Sequence, residues 1–272
     1  METMQKAKMV QLHGINISYE EAGKGEIPVI FIHGFPFDKS TWQPQIESLK
    51  KNYRVIAYDI RGFGGSGKGE EKLSIDLFAS DLIQFMDALN IKKAIVCGLS
   101  MGGYIVMNAV GRFPERFEAI ILSDTQCIAD SEENKKKRYK TIDQINKEGL
   151  ENFAEGFVQN VFCRETLENK KELVDEVKHL ILKTSPDTIT GTLKALAERR
   201  ETCTSLKHVN IPALILCGKE DNVTPLSQSE LLNNTLSNST MQTIDKAGHL
   251  SNLEQPDTFN DHIHSFLPGF LS

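Results

Sequence analysis

Gly98-Leu99-Ser100-Met101-Gly102 follows directly on the apolar run Ala94-Ile95-Val96-Cys97 and leads into a helix-prone stretch from Gly103 through Val110. A short, uninterrupted apolar run ending at glycine reads as a buried β-strand, so Ser100 is expected on a sharp strand-to-helix turn. Small flanking residues let strand and helix approach closely and push the hydroxyl clear of the backbone. This is the layout of a nucleophile elbow. A pattern of five residues also arises by chance in glycine-rich turns, so its weight depends on what the rest of the chain supplies.

A serine hydroxyl is a poor nucleophile near neutral pH. It needs a histidine to take its proton and a carboxylate to hold that histidine in the right tautomer. Both are expected downstream, at strand ends. The apolar run Pro212-Ala213-Leu214-Ile215-Leu216-Cys217 enters the turn-rich loop Gly218-Lys219-Glu220-Asp221-Asn222-Val223-Thr224-Pro225, which presents Asp221. The segment Met241-Gln242-Thr243-Ile244 enters Asp245-Lys246-Ala247-Gly248-His249, which presents His249. Loops at the carboxyl ends of parallel strands are where α/β proteins collect their chemistry. Asp124 also ends a strand-like run, Ala119 to Ser123, and is the rival to Asp221 as the acid; the G-x-x-D-x-x-x-P layout around Asp221 favours the latter.

Two further motifs complete the pattern: His33-Gly34-Phe35 after the first long apolar run, and Asp59-Ile60-Arg61-Gly62-Phe63-Gly64-Gly65-Ser66. With these in order along nearly the whole chain, the sequence resembles the α/β-hydrolase fold superfamily, in its branch of small esterases and enol-lactonases. Ala247-Gly248-His249-Leu250-Ser251-Asn252-Leu253-Glu254-Gln255-Pro256 and His33-Gly34-Phe35-Pro36-Phe37-Asp38 most resemble 3-oxoadipate enol-lactonases and their carboxylesterase relatives. The resemblance implies an α/β fold with a mostly parallel sheet flanked by helices and an inserted helical cap. It implies Ser100, Asp221 and His249 as catalytic residues, the backbone N–H groups of Phe35 and Met101 as an oxyanion hole, and neither cofactor nor metal. His33 precedes the donors and is read as structural.

Gly62-Phe63-Gly64-Gly65-Ser66-Gly67 formally satisfies the dinucleotide fingerprint G-x-G-x-x-G. That fingerprint must open directly into a helix whose N-terminus holds a pyrophosphate, whereas here Lys68-Gly69-Glu70-Glu71-Lys72 intervenes and sets glutamates where an anion would bind. A structural loop is expected instead.

The 272 residues carry a formal net charge of -6, with Lys135-Lys136-Lys137-Arg138 as the one basic run, directly after Glu132-Glu133. A solvated helix face is the reading of that run, and no nucleic-acid footprint is expected. Met1 to Val10 has lysines but no apolar signal core, and no stretch is apolar enough to span a bilayer, so a soluble cytoplasmic protein is expected. The five cysteines are oddly counted and irregularly spaced, which implies no disulfide framework. His262 and His264 point to different faces of the last helix, which disfavours a metal site.

Coarse organisation follows from periodicity. Met9 to Leu12 and Ile15 to Glu20 flank Gly14 as a hairpin; Ile27 to Ile32 and Arg54 to Tyr58 read as strands; Ser40 and Gln43 have capping-box spacing; Ser74 to Leu89 repeats as a helix. Between Asp124 and Asn210 the alternation stops and charge-rich helical periodicity takes over, as in Leu167 to Leu182 and Thr188 to Leu196. So long a stretch is not a bare loop. The expected division is a catalytic core of residues 1–124 and 211–272, with a helical cap at 125–210. The expected activity is cleavage of a small carboxylic ester through an acyl-enzyme. The alternatives are an enol-lactonase acting on a carboxylate-bearing lactone, a carbon–carbon hydrolase or lyase decided by cap residues, and a ligand-binding module on the same fold. A lactone with a free carboxylate calls for a cation, and Arg164, Lys194, Arg199 and Arg200 are the cap candidates; all four are read as solvated on outer helix faces. Partners are confined to a small-molecule ester or lactone, with oligomeric state left open.

Overall fold

Apolar runs become strands wherever both faces of a sheet are covered. A computed structural model describes residues 7–270; the first six residues of the segment read for a targeting signal lie outside them. The strands are β1 Lys8–Leu12, β2 Ile15–Ala22, β3 Val29–Ile32, β4 Val55–Tyr58, β5 Ala94–Leu99, β6 Phe117–Ser123, β7 Ala213–Gly218 and β8 Ser239–Ile244. They form one sheet in the order β1-β2-β4-β3-β5-β6-β7-β8. β1 and β2 make the expected antiparallel hairpin, β2 pairs antiparallel with β4, and every pairing from β4 through β8 is parallel. Every residue of β3, β4, β5 and β7 is buried, as helix-covered parallel strands require.

The helices are α1 Gln43–Leu49, α2 Ile75–Ala88, α3 Met101–Arg112, α4 Glu132–Glu148, α5 Glu151–Val161, α6 Arg164–Asn169, α7 Lys171–Lys183, α8 Pro186–Glu198, α9 Cys203–Leu206, α10 Leu226–Thr235, α11 Ser251–Glu254 and α12 Pro256–Phe266. α2 and α3 pack on each other, and α1 packs on α12. Ser74 caps α2 by accepting the Leu77 N–H at 3.1 Å, a bond worth about 1 kcal/mol at such a position. None of the helices among the described residues is long and apolar enough to cross a membrane.

Parallel pairing brings the carboxyl ends of β3 and β5 through β8 to one edge. Register sets Ile32 beside Gly98, Leu99 beside Ser123, Ser123 beside Leu216 and Gly218 beside Ile244. The residues just beyond, from Phe35 to His249, therefore gather at that edge. Helices α4 to α9 occupy the chain between β6 and β7.

Three expectations are corrected. Ser40 does not cap a helix: Asp38 accepts its amide at 2.8 Å and caps a 3-10 turn over Lys39–Trp42, so α1 begins only at Gln43. The stretch from Leu167 to Leu182 is broken at Lys170, which leaves helical geometry between α6 and α7. Cys127 and Cys203 form a disulfide across 76 residues of sequence. No spacing rule links them, because they meet only when the two ends of the α4 to α9 insertion return to the sheet; there the Thr202 N–H also donates to the Cys127 carbonyl at 2.8 Å.

The glycine-rich loop closes on a side chain of the chain itself. Asp59 accepts the amides of Lys39 and Gly65 and the Lys39 ammonium, at 2.6 to 2.9 Å. A carboxylate thus stands where a dinucleotide site would need an anion.

Candidate active site

Ser100 stands between β5 and α3 with φ 52 and ψ -112. A non-glycine residue held there costs on the order of 1–3 kcal/mol and persists only when its surroundings dictate it. The surroundings do so: the Ser100 N–H donates to the Ser123 carbonyl at 2.9 Å, and the Ser100 carbonyl accepts from Tyr104 N–H at 3.2 Å and from the Thr125 hydroxyl at 2.8 Å. The flanking glycines are required by contact. A Cβ at Gly98 would lie 2.4 Å from the Gly102 carbonyl, and one at Gly102 would lie 2.3 Å from the Ile32 carbonyl oxygen.

His249 is buried, with its N–H on the Val161 carbonyl at 2.7 Å. Its imidazole bridges two groups, Nε2 to Ser100 Oγ at 2.8 Å and Nδ1 to Asp221 Oδ2 at 2.8 Å. Asp221 accepts the amides of Val223 and Thr224 at 2.8 and 2.9 Å on one oxygen, and the Thr224 hydroxyl at 2.7 Å on the other. With these donors Asp221 is a carboxylate, so Nδ1 carries the proton and Nε2 is left to accept from Ser100. Burial disfavours charge on both partners, yet their mutual attraction and hydrogen bonds outweigh it: His249 is held above its ordinary pKa and Asp221 below its own.

Asp124 lies directly behind this pair. Its carboxylate accepts the Gly218 amide at 2.8 Å, the Ser123 hydroxyl at 2.8 Å and the Ser251 hydroxyl at 2.5 Å. Burial, reinforced by the Asp221 charge, pushes its pKa up to about 7. Asp221, and not Asp124, makes the hydrogen bond to His249. Asp124 and Asp221 form with Cys217 a group of metal-ligand type among the described residues, but the carboxylate oxygens are engaged as above and burial pushes the Cys217 thiol up to about 12, so it is no thiolate donor.

Two chain segments meet at the serine: Met101 follows it directly, and Gly34, the residue before Phe35, lies against it, where an added Cβ would stand 3.3 Å from the Ser100 Cβ. Met101 opens α3, so its N–H lies among the unbonded amides at the positive end of the helix. Phe35 follows β3, and its ring packs edge-on to Phe63 and Phe157, at 6.4 and 6.1 Å between centroids. His33 is buried, its Nε2 accepting the Ile60 amide at 3.0 Å, a structural role. Trp42 is core, against Phe31 and Phe259; Phe37 faces Phe157.

Of the four insertion cations, Arg164 is exposed and paired with Glu168, and Lys194 and Arg200 are exposed. Arg199 corrects the solvated reading: its side chain is 2% exposed, donates to Asp130 at 2.7 Å and to the carbonyls of Leu196 and Ile128, and lies 4.4 Å over the Tyr104 ring. With Arg200, Tyr104 and Gln126 it lines a cavity of about 210 Å³ beside α3. Sequence reading missed Thr224 and Glu254. Thr224 was signalled by its place three residues after an aspartate in a turn, a spacing that favours side-chain to backbone bonds.

The family model of the alpha/beta hydrolase fold matches residues 27–256. The chain is 29% identical over 257 residues to 3-oxoadipate enol-lactonase 2 of Acinetobacter baylyi, covering 94% of each. Among solved structures it superposes on a thermophilic esterase of Thermogutta terrifontis, solved with malate bound, with TM-score 0.93 at 29% identity, covering 98% of this chain and all of that one. It superposes on the enol-lactonase of Burkholderia xenovorans with TM-score 0.89 at 25% identity, covering 96% and 100%. Matched from the first parallel strand through the His249 loop, the chain belongs to the alpha/beta hydrolase fold family.

Proposed function

We propose that the protein is a serine hydrolase that cleaves a small carboxylic ester through an acyl-enzyme on Ser100. The observation that carries this reading is the imidazole of His249, bridging the Ser100 hydroxyl and the Asp221 carboxylate at 2.8 Å on both sides. Nε2 takes the hydroxyl proton as Oγ attacks the ester carbonyl carbon. The tetrahedral oxygen takes up negative charge and is met by the amides of Phe35 and Met101, donors that need no reorganisation. His249 then gives its proton to the leaving alkoxide as the carbon–oxygen bond breaks. A water, deprotonated by the same nitrogen, hydrolyses the acyl-enzyme. Asp221 keeps Nδ1 protonated and steadies the imidazolium formed in between. Residues 125–210 act in this reading as a helical cap over the strand ends, on a core formed by 1–124 and 211–272. Turnover across short-chain esters, lactones and carboxylate-bearing lactones tests it; a chain that turns over none of them and only binds ligands is the outcome that sinks it.

The hydrolysis rate is expected to rise with pH as His249 loses its proton, because only the neutral imidazole can accept one. Since Asp221 raises the His249 pKa against the opposing effect of burial, the half-maximal point of kcat/KM belongs above ~6.5, the ordinary histidine value. A profile that is flat under chemistry-limited conditions, or centred well below that value, removes His249 from the role.

A second reading, an enol-lactonase, is favoured by the names of relatives in Acinetobacter baylyi and Burkholderia xenovorans and by a buried guanidinium near α3. The neutral ester ranks first, because both terminal nitrogens of Arg199 are already engaged, by Asp130 and two carbonyls, and its charge is paired. Arg199→Ala is expected to leave the preference between a neutral ester and a carboxylate-bearing lactone unchanged. Its cost falls on stability: roughly 3 kcal/mol, the low end for breaking a buried pair, since Arg138 still holds Asp130. A strong preference for the anionic lactone, abolished by this replacement, reverses the ranking.

A further inference from the structure

The stretch after His249 holds a buried carboxylate that the proposed chemistry leaves unused. Glu254 ends α11 with no exposure to solvent. Oε1 accepts the Gly248 amide at 2.7 Å, and Oε2 accepts the Cys163 amide at 2.8 Å. Both partners are N–H groups, which can only donate, so both carboxylate oxygens act as acceptors. Charge-assisted bonds of this kind are about twice as strong as neutral ones, and a buried carboxylate without partners would be costly. One oxygen thus grips the residue before His249, and the other grips the chain between α5 and α6. The Val161 carbonyl, at the end of α5, accepts the His249 amide itself. A Cβ at Gly248 would lie 2.8 Å from the Cys163 nitrogen and the Val161 oxygen, so the two backbones touch. Lys170, at the break between α6 and α7, donates to the Glu254 carbonyl.

We propose that Glu254 is a positioning residue for His249: its carboxylate clamps the His249 loop to the α5–α6 junction and sets the imidazole between Ser100 and Asp221. Its negative charge is also among those that favour the protonated imidazole. The proposal rests on the reading of His249 as general base. Other charges face the same ground. Asp221 and Asp124 lie on the sheet side of the imidazole. Lys170 bonds the Glu254 backbone, and Lys246, before Gly248, pairs with Glu165 of α6. Cys163 carries a thiol that burial pushes up. The Cys163 thiol also donates to the Lys246 carbonyl at 3.4 Å; Glu254 differs in that its one carboxylate accepts an amide from each segment.

The test is a pair of substitutions read by rate and by titration. Glu254→Gln keeps the shape but removes the charge and turns an amide NH2 toward an N–H. It is expected to lower the midpoint of the acid limb of kcat/KM by about half a pH unit or more, the size of one charge removed from a buried site. It should also lower kcat about tenfold with KM little changed, since misplacing a reacting group acts on the transition state. Glu254→Asp keeps the charge but is too short to span both amides; kcat should fall similarly while the midpoint stays. NMR titration of the His249 imidazole must shift in parallel with the midpoint. That readout needs no turnover, so failure of the hydrolase reading and failure of this one are told apart. If neither variant folds, the wild-type protein decides: the Gly248 and Cys163 amide protons should shift with the His249 titration. A Glu254→Gln variant with wild-type midpoint and kcat and only a lower Tm, or amides indifferent to the titration, would overturn the proposal and leave Glu254 a loop tie.

Discussion

Ser100→Ala is expected to reduce ester hydrolysis by about a million-fold, the loss seen when the nucleophile of a serine hydrolase is removed. The fold should survive. The serine side chain makes one hydrogen bond, to His249, while the turn is held through backbone bonds to Ser123, Tyr104 and Thr125 that alanine keeps. A residual rate above water is expected if the amides of Phe35 and Met101 act as the proposed oxyanion hole, since they would still polarise a bound carbonyl. Wild-type protein treated with a fluorophosphonate should carry the label on Ser100. Near-normal turnover of the alanine variant, or a label on another residue, would falsify the nucleophile assignment.

Asp221→Asn is expected to cost about ten-thousand-fold in kcat, because an amide NH2 facing Nδ1 imposes the tautomer that leaves Nε2 protonated and unable to accept from Ser100. Asp124→Asn should cost at most about tenfold, the worth of one rearranged hydrogen bond. Asp124 touches Gly218, Ser123 and Ser251 and makes no hydrogen bond to His249. It should instead mark the pH profile. With a pKa near 7 it titrates beside His249, and the two charges interact. The wild-type acid limb should therefore be broader than a one-proton curve, and Asp124→Asn should sharpen it and move it to lower pH. Steady-state kinetics of both variants from pH 5 to 9 checks this, and a larger loss at Asp124 than at Asp221 assigns the acid to the earlier strand.

The fold was legible because its elements are locally over-determined. β3, β4, β5 and β7 are apolar along their whole length, α2 announces itself by period and by Ser74, and the hairpin by Gly14. The failures lie where two local signals compete or a distant group intervenes. Asp38, two residues earlier, takes both the amide and the hydroxyl of Ser40, so that hydroxyl is not free to cap, and the Gln43 amide bonds the Ser40 carbonyl instead. Lys170 breaks a helix whose apolar period continues through it, and its ammonium lies on the Glu254 carbonyl, 84 residues away. The solvated reading of Arg199 failed for the same kind of reason: its neighbours in sequence are charged, but its neighbours in space are Asp130 and Tyr104.

By itself the sequence determined the α/β alternation, the order of strand-end residues and the strained glycine-flanked turn at Ser100, since these follow from hydrophobic period and from what a backbone without side chains can do. The loop pattern already favoured Asp221 over Asp124, but the contact of Asp221 with His249, the meeting of Cys127 with Cys203, and the joining of the His249 loop to the α5–α6 junction by Glu254 were decided in the tertiary structure. Hydrogen bonds and charge pairs act over about 3 Å in space, a distance that separations of 28, 76 and 91 residues along the chain do not encode.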